Sequence, residues 1–112
     1  MSDFTSAGRQ APPGAPSQAA RGLMVKYFAT IRTYTGETGR HLDEVPADLR
    51  ALLTTLAGRY GTSFRQAVLS GAELNGEIII LVNGRNVLYL QGLDTPLAAD
   101  DEVSIFPMVA GG

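Results

Sequence analysis

Between Pro46 and Gly61 the chain carries its strongest constraint: Leu49, Leu52, Leu53, Leu56, Ala57 and Tyr60 recur at i, i+3, i+4, i+7, i+8 and i+11. That spacing follows the 3.6-residue period of an α-helix and draws one apolar stripe along it. Pro46-Ala47-Asp48 supplies the start signals and Gly61 the stop. A helix apolar on one side must lie against another element, and the rest of the chain offers strands. Ile78-Ile79-Ile80-Leu81-Val82 is a short unbroken apolar run, the pattern of a buried central strand. The helix is expected to pack on it, with Leu53 in the interface.

The flanking segments read as strands joined by turns. Met24 to Ile31 is rich in β-formers and only loosely alternating, so a strand is expected without a defined inward face. Thr35-Gly36-Glu37-Thr38-Gly39 turns the chain, and Arg40 to Val45 returns as the second strand of a hairpin. Residues 63–70 form a short second helix through Phe64, Ala67 and Val68, followed by a polar stretch at 71–76. After Asn83-Gly84-Arg85, two further strands are expected at 86–90 and 102–106. The order β-β-α-(α)-β-β-β, with one main helix covering one sheet face, is α+β. A helical crossover between the hairpin and the later strands makes the first and last strands parallel neighbours, which is the β-grasp, or ubiquitin-like, arrangement. A doubly wound α/β sheet does not fit, because strands and helices do not alternate.

Composition narrows the chemistry. With 112 residues, 45% of them hydrophobic, the chain has enough for one small core. It has no cysteine, which excludes disulfides, thiolate catalysis and cysteine-ligated metals. The formal charge of −2 is not that of a nucleic-acid or membrane binder. Residues 1–22 hold Arg9, Arg21 and Asp3, which leaves the remainder at −3, a mildly acidic domain suited to a basic partner surface. Pro12-Pro13-Gly14-Ala15-Pro16 and its Ala, Ser and Gln neighbours cannot offset ordering entropy, so 1–22 is expected as a disordered extension. No membrane span and no apolar signal-peptide core is present in the sequence, and the expected location is the cytoplasm.

The expected units are therefore the extension 1–22, a folded domain over 23–106 and a tail over 107–112. The tail reads Pro107-Met108-Val109-Ala110-Gly111-Gly112. A carboxylate on two residues without side chains is the least hindered acyl group a protein can offer, and glycine accepts conformations that other residues avoid. Six extended residues reach on the order of 20 Å, enough to enter a narrow site in a partner. Gly112 is thus the candidate for modification, with Gly111 and Ala110 as tail. Phe106, Pro107, Met108 and Val109 are candidates for the rim of the partner contact, although a buried end of the last strand accounts equally well for Phe106. No catalytic residue and no metal ligand is assigned.

Together these segments resemble the ubiquitin-like sulfur carriers, in particular the small subunit of molybdopterin synthase. The resemblance covers roughly residues 23–112. It rests on Tyr27-Phe28-Ala29-Thr30-Ile31-Arg32, the leucine-rich helix, Leu81-Val82-Asn83-Gly84-Arg85-Asn86, Gly92-Leu93-Asp94-Thr95-Pro96-Leu97, and the closing run from Asp101 through Phe106-Pro107 to Gly111-Gly112. The family's Asp-Gly-Asp turn stands here as Ala99-Asp100-Asp101, and Asp tolerates the left-handed backbone such a turn needs. Met108 replaces a proline and keeps the tail base apolar. The resemblance implies a carrier without catalytic residues or a bound cofactor. A ubiquitin-activating-type adenylyltransferase would use ATP and Mg²⁺ to adenylate Gly112, and a sulfur donor would convert the adenylate to a thiocarboxylate. The tail would then enter the large subunit of molybdopterin synthase. A protein modifier joined to target lysines through Gly112 uses the same adenylate. Carriers for thiamine or cysteine synthesis are further variants, although the helical segment 47–70 is long for the thiamine type.

The remaining polar residues have plainer readings. His41, the only histidine, is expected at the surface of an edge strand. Asp100, Asp101 and Glu102 read as a solvated turn, and Asn83-Gly84-Arg85 as a hairpin turn. Lys26 is the only lysine against eight arginines.

Overall fold

The computed structural model describes residues 22–108. The chain enters on β1 (Leu23–Tyr27), passes through a short helix α1 (Ile31–Thr35) and returns antiparallel on β2 (Gly39–Leu42). Two helices follow, α2 (Leu49–Tyr60) and α3 (Thr62–Val68), then a small hairpin of β3 (Leu69–Ser70) and β4 (Glu73–Leu74). Next come β5 (Ile78–Val82) and the short β6 (Arg85–Asn86), 3₁₀ turns at Val87–Tyr89 and Gly92–Asp94, and β7 (Glu102–Pro107). The main sheet has the order β2-β1-β7-β5-β6, with β1 and β7 parallel and the other pairs antiparallel. This is the β-grasp arrangement expected from the order of elements.

The leucine period is realised in full. Leu49, Leu52, Leu53 and Leu56 are completely buried against inward residues of the sheet, among them Val25, Ile80, Val103 and Ile105. Asp48 caps α2, its carboxylate accepting from the Ala51 N–H at 2.8 Å, and Gly61 closes the helix at φ +101°. The loop after β6 is tied to the same helix end. The Leu49 N–H donates to the Thr95 carbonyl at 3.0 Å, and the Leu97 N–H to the Ala47 carbonyl at 3.2 Å.

Three expectations are corrected. The first strand stops at Tyr27 rather than Ile31. Beyond Phe28 neither neighbouring strand continues to pair with it. An extended 29–31 would leave backbone groups unpaired, and the chain instead turns at Ala29 (φ +53°) into α1, whose first N–H groups bond the Phe28 and Ala29 carbonyls. The strand expected over 86–90 is two residues of β6 and a 3₁₀ turn. The Asn86 side chain accepts from the Leu88 N–H at 2.9 Å and diverts the backbone, burying Val87 and exposing Leu88 and Tyr89. Finally, β7 is the central strand. β5 lies beside it and buries only Ile78, Ile80 and Val82 against the helices.

A hydrogen-bonded chain locks the hairpin to α2. The buried Tyr27 hydroxyl lies 2.9 Å from that of Tyr60, which donates to Glu37 Oε2 at 2.7 Å. Arg40 grips the same carboxylate through Nε and Nη2 at 3.2 and 3.0 Å. Because the single Tyr60 proton goes to Glu37, Tyr27 is the donor between the two tyrosines. Burial pushes both phenols above their ordinary range, Tyr27 strongly so. The bonds from Tyr60 and then Arg40 hold the Glu37 carboxyl below its own.

Candidate functional site

The route to the tail is built by residues that hold β7 in register. Asn83 and Gly84 both take positive φ, +53° and +85°, and form the tight β5–β6 turn expected of Asn-Gly. The Asn83 side chain then crosses to β7, donating to Asp101 Oδ1 and accepting from the Glu102 N–H, both at 2.9 Å. The other Asp101 oxygen accepts from the Ala98 N–H at 2.8 Å, and Asp100 adopts φ +72°, the left-handed turn expected there. These acidic residues shape the start of the strand. Among the described residues no group of three or more His, Cys, Asp or Glu could hold a metal ion.

At its far end β7 is gripped from both sides. The Phe28 N–H donates to the Ile105 carbonyl at 3.1 Å, and the Met108 N–H to the Glu77 carbonyl at 2.7 Å. Phe28 and Phe106 stack with centroids 4.4 Å apart and planes 7° from parallel. The Arg32 guanidinium lies 5.7 Å from the Phe28 centroid, steadied by its Nε bond to the Tyr27 carbonyl at 2.9 Å. The chain therefore leaves the sheet at a fixed point, beside a cation resting on an aromatic pair.

Strand alternation decides what surrounds that point. Leu23, Val25 and Tyr27 point into the core, so Met24, Lys26 and then Phe28 face away from the helices. The register sets Lys26 beside Ser104, Leu81 beside Ser104, and Ile79 beside Phe106. The outer sheet face thus carries Met24, Phe28, Ile79, Leu81 and Phe106, an apolar patch next to the tail root, with the Lys26–Glu102 pair (3.3 Å) at its margin.

Of the expected rim residues, Phe106 and Pro107 are partly buried and Met108 is exposed. Phe106 is neither a core residue nor a free rim residue, because it is half covered by Phe28. Val109, Ala110, Gly111 and Gly112 lie outside the described residues, as do residues 1–21 of the expected extension. His41 is partly buried on the edge strand, with Nδ1 3.5 Å from an Asp43 oxygen and Nε2 without a partner among the described residues. Sequence reasoning missed Met24, Phe28, Arg32, Ile79 and Leu81 as members of the site. One signal was present: five consecutive apolar residues at 78–82 are too many for a sheet covered on one face only, where alternate positions meet water.

The sheet order, the helix cradled on one face and the tail leaving the central strand define a β-grasp protein of the ubiquitin-like class. Residues 25–112 match the model of the ThiS family. The chain belongs to that family of ubiquitin-like sulfur carriers. It is 39% identical over 71 residues to an Archaeoglobus fulgidus protein described as a sulfur carrier, covering 63% of this chain and 81% of that one. It is 33% identical over 98 residues to small archaeal modifier protein 3 of Haloferax volcanii, covering 80% of this chain and 98% of the relative. A solved Pyrococcus furiosus structure, described as subunit 1 of a molybdopterin converting factor, superposes with a TM-score of 0.63 at 28% identity over 80% of this chain and 99% of that one. No described helix is long and apolar enough to cross a membrane.

Proposed function

We propose that this chain is a sulfur carrier activated at Gly112, and that it serves as the small subunit of molybdopterin synthase in molybdenum cofactor biosynthesis. The observation that carries the reading is the tail root. β7 is held by β1 as far as Ile105 and by β5 as far as Pro107, beside an apolar sheet face, so a partner that grips the patch receives the tail at a defined position. A free carboxylate is a poor acyl electrophile. An adenylyltransferase of the ubiquitin-activating type would join the Gly112 carboxylate to AMP, releasing pyrophosphate from ATP with Mg²⁺. A sulfur donor would then displace AMP to leave a thiocarboxylate. The chain contributes docking energy and an acyl group, and the large subunit contributes the catalytic residues. Met24, Phe28, Ile79, Leu81 and Phe106 anchor the contact, with Pro107, Met108 and Val109 at its rim.

A second reading is favoured by the similarity to the Haloferax modifier: Gly112 is joined to lysines of other proteins by the same adenylate. The intact mass after incubation with ATP, Mg²⁺, a candidate activating enzyme and a sulfur donor tests the shared step. One oxygen replaced by sulfur, lost on deletion of Gly112, is expected. No adenylate and no thiocarboxylate with any cognate enzyme would refute the carrier. Rescue of a strain lacking the synthase small subunit then separates the molybdenum role from lysine-linked adducts in cells, and from carriers for thiamine or cysteine synthesis.

A further inference from the structure

Eight arginines and one lysine make Lys26 the only side-chain amine in the sequence, and there is no cysteine to take an acyl group as a thioester. Guanidinium groups stay protonated and do not attack acyl centres. Lys26 therefore holds the one side chain able to form a stable amide with an activated carboxylate. Its position matters as much as its number. It stands on the outer face of β1, between Met24 and Phe28 and across from Ser104, with 46% of its side chain exposed and Nζ 3.3 Å from Glu102 Oε1. That places it at the margin of the face proposed above for partner docking, which the activating enzyme must also grip to receive the tail.

We infer that Lys26 is an acceptor for Gly112 of a second copy of this chain, and that the acylated copy is withdrawn from activation because its docking face is covered. The inference rests on the adenylate step proposed above. The Lys26 nitrogen attacks the carbonyl carbon of the Gly112 adenylate. An N–C bond forms, the C–O bond to AMP breaks, AMP leaves with the bonding pair, and the amine proton passes to water. No oxidant or reductant is involved. The amine and the sulfur donor compete for one acyl carbon, so conjugation rises when sulfur is short. Acylation also removes the ammonium that pairs with Glu102. The appended chain then lies over Met24 and Phe28, where a partner would have to sit.

The test incubates the full chain with activating enzyme, ATP and Mg²⁺, with and without the sulfur donor. Pyrophosphate exchange reports activation separately from conjugation. Without donor, a covalent dimer is expected, with a branched tryptic peptide joining residues 86–112 to Lys26 within residues 22–32. The dimer should be lost in Lys26→Arg, which keeps the cation beside Glu102, and suppressed when the donor is restored. In the purified Lys26-linked dimer the acceptor copy keeps a free Gly112, and it should lose about tenfold in kcat/KM for exchange, as expected when the appended chain covers the contact residues. A dimer of equal yield in Lys26→Arg, a branch at another amine, exchange without any dimer, or normal exchange by the Lys26-linked dimer would each overturn the inference. Absence of exchange in the unmodified chain would overturn the underlying reading and the inference with it.

Discussion

Substituting Tyr60 by Phe removes a single oxygen, yet the structure assigns it a larger cost than the same change at Tyr27. Tyr27 is completely buried and its hydroxyl has one partner, the Tyr60 oxygen 2.9 Å away. In Tyr60→Phe that donor is left buried without an acceptor, and Glu37 loses its 2.7 Å bond. An orphaned buried polar group costs about 1–3 kcal/mol. In Tyr27→Phe the donor disappears together with its need, and Tyr60 keeps Glu37, so the loss is that of one ordinary bond, about 0.5–1.5 kcal/mol. The edge-on contact of Tyr27 with Tyr60, 5.6 Å between centroids, and the tilted one of Tyr60 with Phe64, 5.3 Å, survive either change. At about 4–8 °C per kcal/mol for a domain of this size, Tyr60→Phe lowers Tm by roughly 5–20 °C.

The double variant separates this account from simple loss of packing. With both hydroxyls gone nothing is orphaned, so Tyr27→Phe/Tyr60→Phe should cost less than the sum of the single changes and no more than Tyr60→Phe alone. Urea titrations of the four proteins, at matched slope, measure the coupling. Additive costs, or a Tyr27→Phe more damaging than Tyr60→Phe, would show that the donor direction deduced here is wrong.

Three further outcomes follow from the same contacts. Leu53→Ala, at a completely buried position under the sheet, should cost about 2–5 kcal/mol, and an unchanged melting temperature would contradict the packing of α2. The Glu37 carboxyl is held below its ordinary value of 4.5, so its stabilisation is complete above that pH and is lost as pH falls through the lower folded-state value. Urea midpoints between pH 6 and 3 should therefore fall less steeply in Glu37→Gln than in the parent, and equal slopes would refute the assignment. Phe28→Ala should remove about 0.5–1.5 kcal/mol of stacking with Phe106 beyond the lost burial, and should weaken binding to the activating enzyme. Binding unchanged by titration calorimetry would remove Phe28 from the docking face.

What was legible in the sequence is what short-range pattern controls. The α2 stripe, its Asp48 cap and its Gly61 stop are local statements, and the helix appears with the expected bounds. The Asn83-Gly84 turn and the left-handed Asp100 are equally local, set by what a backbone allows each residue. The site was less legible because it is assembled across strands. Phe28 and Phe106 are far apart in the chain and meet only because β1 and β7 run parallel in one particular register. A shift of one residue would turn Phe106 into the core and Ile105 out of it. Periodicity predicts neither that register nor the end of β1 at Tyr27, which is set by where its neighbours stop pairing. The same dependence explains Lys26. As a composition count it is only an arginine preference, but the β1 register puts its amine on the face that leads to the tail. A carrier whose one lysine stood on α2 would have no such conflict between accepting an acyl group and docking the enzyme that makes it. Moving the amine is therefore the sharper form of the Lys26 test: in Lys26→Arg with Arg59→Lys, conjugation through residue 59 should leave pyrophosphate exchange intact. If exchange in that conjugate falls as it does in the Lys26-linked one, coverage of the outer sheet face is not what silences the acylated copy.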